Sequence, residues 1–291
     1  MAGGATRTRW QVPFDETFDL RQAPTQPDDT PDPHRLAKAL AEQVDALRKL
    51  QRAFYADGRT ALLLIFQGMD ASGKDSTIRR VLTGVNPAGC RVVSFGPPSP
   101  EELRHDFLWR CVRELPAKGQ IGIFNRSWYE DVTIVRVHPE GLDLREDTWT
   151  SRLRSIREFE RHLADNGTVV LKFFLHLSRE EQARRLLSRI DRPSKNWKFD
   201  NSDIAERAHW DDYQAAYQAA LAATSRPEAP WYVVPADDKP FARLQVAQTV
   251  VEVLRHLKPR FPTVDEARRA ELDGFRDHLL AELPEGELKG S

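Results

Sequence analysis

The sequence predicts an α/β fold: a mainly parallel sheet of about five strands with helices packed on both faces. Three observations carry this. Short apolar runs alternate with amphipathic stretches, the pattern of repeated strand–helix–strand units. The first run passes through a glycine-rich loop directly into a helix. The polar breaks after successive runs would all lie on one edge of such a sheet, beyond the carboxyl ends of its strands, where ligands of open α/β sheets bind.

The elements follow in order. Residues 1–33 are rich in Pro, Asp, Thr and Gly, with Trp10, Phe14 and Phe18 among them. They read as an extended N-terminal arm whose aromatics dock on the body. From His34 to Ala56, Leu36, Leu40, Val44, Leu47 and Leu50 recur at helical spacing. Asp32-Pro33 supplies the start and Asp57-Gly58 the stop. Ala61–Phe66 is an unbroken apolar run, suited to a strand buried on both faces. The loop from Gly68 follows, and a helix begins near Thr77. Gly84–Gly89 is a turn and Cys90–Phe95 a second strand; Glu101–Leu115 reads as a helix. Gln120–Phe124 is a third strand, 133–147 a short connection, and Trp149–Asn166 a helix ended by Gly167. Thr168–Leu175 is a strong strand. Ser178 and Glu181 form a capping box that opens a helix running to about Ile190. Asp191–Asp203 is polar and basic, Ile204–Ala223 helical, Trp231–Val234 the last strand and Lys239–Leu257 the last core helix. The domain so defined spans 34–258. Residues 259–291 are a charged C-terminal extension, one peripheral helix and a frayed tail.

Length and composition set outer bounds. The 291 residues suit one large α/β domain or two small ones. A net charge of −1 gives no overall basic character, so neither nucleic acid nor a membrane surface is expected as a partner. Two cysteines, Cys90 and Cys111, exclude a disulfide scaffold and show no zinc spacing. No apolar run approaches a membrane span, and MAGGATRTRW lacks a signal-peptide core, so a cytoplasmic protein is expected.

The loop Gly68-Met69-Asp70-Ala71-Ser72-Gly73-Lys74-Asp75-Ser76 lies between strand and helix, the context of a P-loop. Its glycines let successive N–H groups turn toward a phosphate chain, and the helix adds its N-terminal dipole. Lys74 would reach the terminal phosphates. Two features are unusual. Asp75 stands where a metal-binding Ser or Thr is common, with Ser76 one residue later. Asp70 lies inside the loop, where a carboxylate repels phosphate unless a cation intervenes. That suggests a Mg²⁺ ligand, or a base or orienter for the acceptor.

Three further constellations fall on or near the same edge. Asn125-Arg126-Ser127-Trp128-Tyr129-Glu130-Asp131 ends the third strand: Arg126 is placed to grip phosphate, and Glu130 and Asp131 to serve a metal. Arg184, Arg185, Arg189, Arg192, Lys195 and Lys198 flank a polar loop between two helices. A solvated helix end would also be charged. The position of the run in a P-loop unit favours a lid, about 184–203, that closes over phosphates and excludes water. Arg79 and Arg80, with Arg91, Arg104, Arg110, Arg113 and Lys118 nearby in sequence, read either as a track for a long polyanion or as an exposed helix face. Tyr213 and Tyr217 read as core packing, and the single His105, His138 and His162 as packed or exposed.

Together, the motifs at 68–75, 124–132, 195–199 and 231–239 resemble the second family of polyphosphate kinases, over about residues 34–258. The resemblance implies a thymidylate-kinase-like P-loop core with a helical lid. It implies inorganic polyphosphate in a basic groove, adenine nucleotides (AMP, ADP, ATP) entering from the opposite side, and Mg²⁺ between them. By the same resemblance Asp70 is the catalytic or metal-binding carboxylate and Lys74 the phosphate-gripping lysine. Arg126 is the second-motif arginine, Arg79 and Arg80 line the groove, and Arg189, Arg192, Lys195 and Lys198 belong to the lid. Many members carry Asp-Arg where this chain has Asn125-Arg126. The Asn form resembles the subgroup that also phosphorylates nucleoside monophosphates, and an amide there would remove repulsion against an acceptor phosphate. The expected reaction is phosphoryl transfer between polyphosphate and AMP or ADP, by a homo-oligomer. Two other readings stay open: an ATP-dependent nucleoside monophosphate kinase, and a non-catalytic P-loop nucleotide-binding module.

Overall fold

The computed structural model of the chain describes residues 9–29, 32–139, 145 and 147–283. Five strands pair in parallel in the order β2-β3-β1-β4-β5. They are β1 (Ala61–Gln67), β2 (Cys90–Ser94), β3 (Ile121–Asn125), β4 (Thr168–His176) and β5 (Trp231–Pro235). Among the described residues ten α-helices accompany them: α1 (Pro33–Asp57), α2 (Lys74–Val81), α3 (Trp109–Val112), α4 (Ile134–Val137), α5 (Thr148–Asp165), α6 (Arg179–Ile190), α7 (Ser202–Glu206), α8 (Trp210–Thr224), α9 (Lys239–Leu257) and α10 (Glu266–Glu282).

β1 takes the centre of the sheet because its apolar run suits both faces, and all seven of its residues are buried. Leu62, Leu64 and Phe66 face one layer with Leu47 and Phe54 of α1, Ile78 of α2 and Val246, Val250 and Leu254 of α9. Leu63 and Ile65 face the other, with Ile156 of α5, Tyr217 of α8 and the Trp128–Val132 turn. Helices therefore cover both faces, as the alternating pattern predicts. α1 starts where expected: the Asp32 carboxylate accepts from Arg35 N at 2.8 Å, Pro33 is the first residue, and Gly58 closes the helix at φ 61.

Three segments differ from the sequence reading. Residues 101–115 are not one helix but a 3-10 turn (Glu102–Arg104) and the single turn α3. Ser99 and Glu102 exchange side-chain-to-backbone bonds, and the Asp106 carboxylate accepts from Leu108 N at 3.0 Å. These local bonds satisfy the backbone without a continuous helix. Residues 204–223 divide into α7, a 3-10 turn (Arg207–His209) and α8. Arg207 draws the chain aside by donating to Arg179 O at 3.1 Å and Gln182 Oε1 at 2.6 Å. The capping box at α6 is half formed. Ser178 Oγ accepts from Glu181 N, but the Glu181 carboxylate binds Arg185, while Ser178 N donates to Asp237 instead.

The N-terminal segment docks on β5. Gln11 bridges Tyr232 in antiparallel fashion, with Val12 N donating to Trp231 O at 2.9 Å and Val233 N to Trp10 O at 2.8 Å. Trp10 is buried and Phe18 packs against the core, whereas Phe14 is exposed. α10 buries no residue. The expected frayed tail lies outside the described residues beyond 283, as do 1–8, 30 and 31 of the arm and 140–144 and 146 of the 133–147 connection.

One feature of the core is charged. Lys172 of β4 and Glu160 of α5 form an ion pair with side chains 0% and 1% exposed. Burial pulls the Lys172 ammonium down and pushes the Glu160 carboxyl up, and their mutual contact opposes both shifts. Lys172→Met alone strands a buried carboxylate and should lower the unfolding free energy by about 3–5 kcal/mol. Lys172→Met with Glu160→Gln should recover at least half of that loss in urea unfolding. Equal losses in single and double variants would refute the pairing.

Candidate active site

Gly68 begins the glycine-rich loop after β1 at φ 148, and a Cβ there would lie 2.9 Å from Leu175 O and from Ser72 Oγ, so only glycine fits. Gly73 (φ 102) precedes α2, and Ala71 between them is held in the left-handed region at φ 62. The loop is tied from behind by α6. Gln182 Nε2 donates to Asp70 O at 3.0 Å. Arg185 Nη1 donates to Ala71 O at 3.0 Å and Ser72 O at 2.9 Å. Arg185 Nη2 reaches Ala236 O and Asp237 O after β5, and its Nε pairs with Glu181. A trans peptide points C=O and N–H in opposite directions. Anchoring Ser72 O on Arg185 therefore turns the Gly73 N–H to the other side. Lys74 Nζ lies over the same loop, donating to Gly68 O at 2.7 Å. Asp75 is exposed and Ser76 half-buried on the first turn of α2.

The second motif approaches from β3. Arg126 has φ 67, and its N–H donates to Phe66 O at 3.0 Å, fixing it against the end of β1. Its guanidinium lies 3.3 Å from Asp70 Oδ1 and 3.7 Å from Glu130 Oε2. Burial pushes the Glu130 carboxyl up, opposed by the Arg126 and Lys74 charges. Burial and the Arg126 charge pull Lys74 down, against Asp70, Glu130 and Asp75. Asp70, Lys74, Arg126 and Glu130 thus form one electrostatic unit at a cleft whose other wall is Gln182, Glu206, Tyr213 and Tyr217. Asn125 donates to the Asp75 carboxylate and, at 3.3 Å, to Ser94 Oγ. A second carboxylate at 125 would face Asp75 directly, which gives the amide a role inside the protein. Asp131 diverges from Glu130. It points toward the buried Arg110, 3.8 Å away, and Arg152 holds its backbone carbonyl. Only Glu130 of the two reaches the cleft.

The side of the loop facing α9 is basic. Arg79 and Arg80, exposed at the end of α2, adjoin Arg243 of α9, whose side chain donates to Ser76 Oγ at 3.3 Å. Burial and the charges of Arg80, Arg79 and Arg185 depress Arg243. Lys239 is pulled down to about 8, by burial first and then by Arg185. The Lys195 and Arg243 charges add to that shift, against the Glu181 carboxylate. Among the described residues Arg79, Arg80, Lys239 and Arg243 form no ion pair; Glu181 opposes the shift of Lys239 and Asp238 that of Arg243 only at longer range. The cations of the segment expected to form a lid are placed differently. Arg189 is committed to Lys198 O and Asp203 within the lid, Lys195 donates to Ser188, Lys198 lies over Trp197, and Arg192 is exposed.

Sequence reasoning missed several of these residues. Arg185 reads as one lid cation among six, yet it is buried and holds the loop. Lys239 and Arg243 lie on or just past the predicted strand-end edge, but ordinary charges at a helix start carry no signal of their own. Tyr213 and Tyr217 are core residues, as their spacing indicates, and also line the cleft. Glu206 is held by His138 at 2.8 Å and Tyr213 at 2.6 Å, a pairing across 68 residues of sequence that no local pattern announces.

The comparisons agree with this architecture. Residues 32–262 match the family described as Polyphosphate kinase 2 (PPK2). The chain is 50% identical over 282 residues to an ADP-polyphosphate phosphotransferase of Rhodopseudomonas palustris, covering 94% of this chain and 98% of the relative. It is 46% identical over 263 residues to an AMP/ADP-polyphosphate phosphotransferase of Meiothermus ruber, covering 89% and 97%. The crystal structure of Polyphosphate Kinase 2 from Arthrobacter aurescens TC1 superposes with a TM-score of 0.86 at 38% identity, covering 94% of this chain and 95% of that one. A P-loop, a second motif at the end of β3 and a basic flank on α2 and α9 therefore accompany a match over most of the sequence, and the chain belongs to the polyphosphate kinase 2 family.

Proposed function

We propose that this protein transfers a phosphoryl group between inorganic polyphosphate and adenine nucleotides, converting AMP, ADP or both to ADP and ATP. The observation that carries the reading is the cation set Arg79, Arg80, Lys239 and Arg243, which forms no ion pair among the described residues, beside the phosphate-binding loop. A nucleotide's own phosphates need few cations beyond the loop, whereas a long polyanion engages a row of them. The activities in the relatives' names support the same donor. The cleft of Asp70, Arg126 and Glu130 would then take the acceptor.

In this reading the loop cradles the donor phosphates through backbone N–H groups, and Lys74 exchanges its loop carbonyl for a phosphate oxygen. Arg126 holds the acceptor phosphate and balances Asp70 and Glu130. The lid, about 184–203, closes to exclude water, and catalysis is positioning plus charge stabilisation. Mg²⁺ belongs to the reading. Asp70 is a half-exposed oxygen donor, and no group of three His, Cys, Asp or Glu among the described residues could cage a metal. That suits an ion held chiefly by phosphate oxygens and water with one carboxylate, and when bound it would neutralise phosphate charge. The Asn125 amide, bonded to Asp75, leaves no carboxylate at that position to repel a monophosphate acceptor.

The reading includes a cytoplasmic location, supported by two cysteines that are free rather than disulfide-bonded. No described helix is long and apolar enough to cross a membrane. Assembly into a homo-oligomer belongs to it too, supported by the exposed Leu272, Phe275 and Leu279 face of α10.

Purified protein with Mg²⁺ and polyphosphate should form ATP from ADP, and ADP then ATP from AMP. Transfer from ATP to a monophosphate without any use of polyphosphate would overturn the donor assignment. Lys74→Ala should reduce turnover by at least about a hundredfold while the protein stays folded. Lys239 is charged below about pH 8 and neutral above it. The KM for polyphosphate should therefore rise between about pH 7 and 9, and Lys239→Arg should flatten that rise. An unchanged profile in the variant would remove Lys239 from the track.

A further inference from the structure

The second motif has two sides. Arg126 and Glu130 face the cleft, while Trp128 and Tyr129 between them face the core and are 0% exposed. There they meet the buried pair Lys172–Glu160. Glu160 accepts from Trp128 Nε1 at 3.2 Å, and its Oε1 lies 2.8 Å from the Tyr129 hydroxyl. Lys172 donates to Tyr129 Oη at 3.0 Å, to Thr224 O at 2.8 Å and to Glu160. An ammonium has three protons, and all three have acceptors here. Thr224 Oγ1 lies 2.8 Å from Tyr129 Oη and accepts from Trp231 Nε1 at 2.9 Å. Three elements, β4, α5 and α8, therefore converge on one hydroxyl of the motif.

Stability does not account for the charges, because a well-packed apolar core would serve as well or better than a buried ion pair. What directional bonds add is orientation. Arg126 sits at φ 67, a conformation that persists only where its surroundings impose it. The 3-10 turn Trp128–Val132 starts two residues later, with Ser127 Oγ capping Tyr129 N at 3.3 Å. Fixing Tyr129 and Trp128 on the core side fixes the direction in which Arg126 and Glu130 leave the backbone on the other.

We propose that Lys172, Glu160 and Thr224, acting through Trp128 and Tyr129, are positioning residues that aim Arg126 and Glu130 at the transferring group. The inference rests on the phosphotransfer reading above. It sets the acceptor side of the site and leaves the basic flank of Arg79, Arg80, Lys239 and Arg243 unaffected, since that flank stands on α2 and α9.

The test is Tyr129→Phe, which keeps the ring and removes the hydroxyl at the centre of the network. Steady-state kinetics are measured with ADP and polyphosphate, beside a thermal melt. The expected result is a kcat reduced roughly ten- to a hundredfold, as misplacement of reacting groups produces. The polyphosphate KM should stay within about twofold, because the basic flank is not attached to the network. A purely structural tyrosine would lower the melting temperature and leave kcat unchanged below it. That result, with the wild type active, overturns the positioning role alone, whereas an inactive wild type overturns the functional reading itself. Should Tyr129→Phe fail to fold, the isosteric Thr224→Val decides by the same readout. It removes the hydroxyl contact from α8, and wild-type kcat in it would sink the proposal.

Discussion

The buried guanidinium of Arg185 is the interaction on which the site depends. A loop that offers N–H groups to phosphate must place its carbonyl groups elsewhere, and buried carbonyls need donors. Arg185 supplies them to Ala71 and Ser72, and with its other arm to Ala236 and Asp237. One side chain thus joins the loop after β1 to the loop after β5, from a helix that follows β4. A guanidinium can hold several carbonyls at once because it is planar, always charged and carries five donors in fixed directions. The loop is therefore shaped before any phosphate arrives, which lowers the ordering cost of binding.

Around that loop the charges are sorted by side. Asp70, Arg126, Glu130 and Lys74 balance one another at the cleft, so an acceptor meets donors and carboxylates in alternation. Toward α9 the cations form no ion pair among the described residues, and burial first, then neighbouring cations, depresses Lys239 and Arg243. A multivalent anion would offset several of these charges at once. Behind both sides, the Lys172–Glu160 pair sits at the base of the second motif. Polar contacts thus brace both segments, Arg185 beneath the loop and Tyr129 beneath the motif.

The sequence alone determined much of this. Apolar runs announced the inner strands because burial on both faces demands unbroken apolar stretches, and β1 is the clearest case, whereas the edge strand β2 buries no residue. Gly68, Gly73 and Lys74 announced the loop because few residue types permit that backbone and that charge. Asp32-Pro33 and Gly58 announced the bounds of α1 because capping is a local interaction. Only the tertiary structure decided the rest. Asp131 and Glu130 are adjacent in sequence but part toward Arg110 and Arg126. Arg185 and Arg184 are neighbours, one buried under the loop and one exposed. Glu206 meets His138, Tyr129 meets Lys172, and Arg243 meets Arg80 only when distant segments pack. The helix expected at 101–115 gave way to side-chain caps, and the one expected at 204–223 to Arg207. The physical reason is common to all of them: periodicity and turn chemistry are set by neighbours along the chain, whereas a side chain's direction and charge environment are set by whatever the fold brings against it.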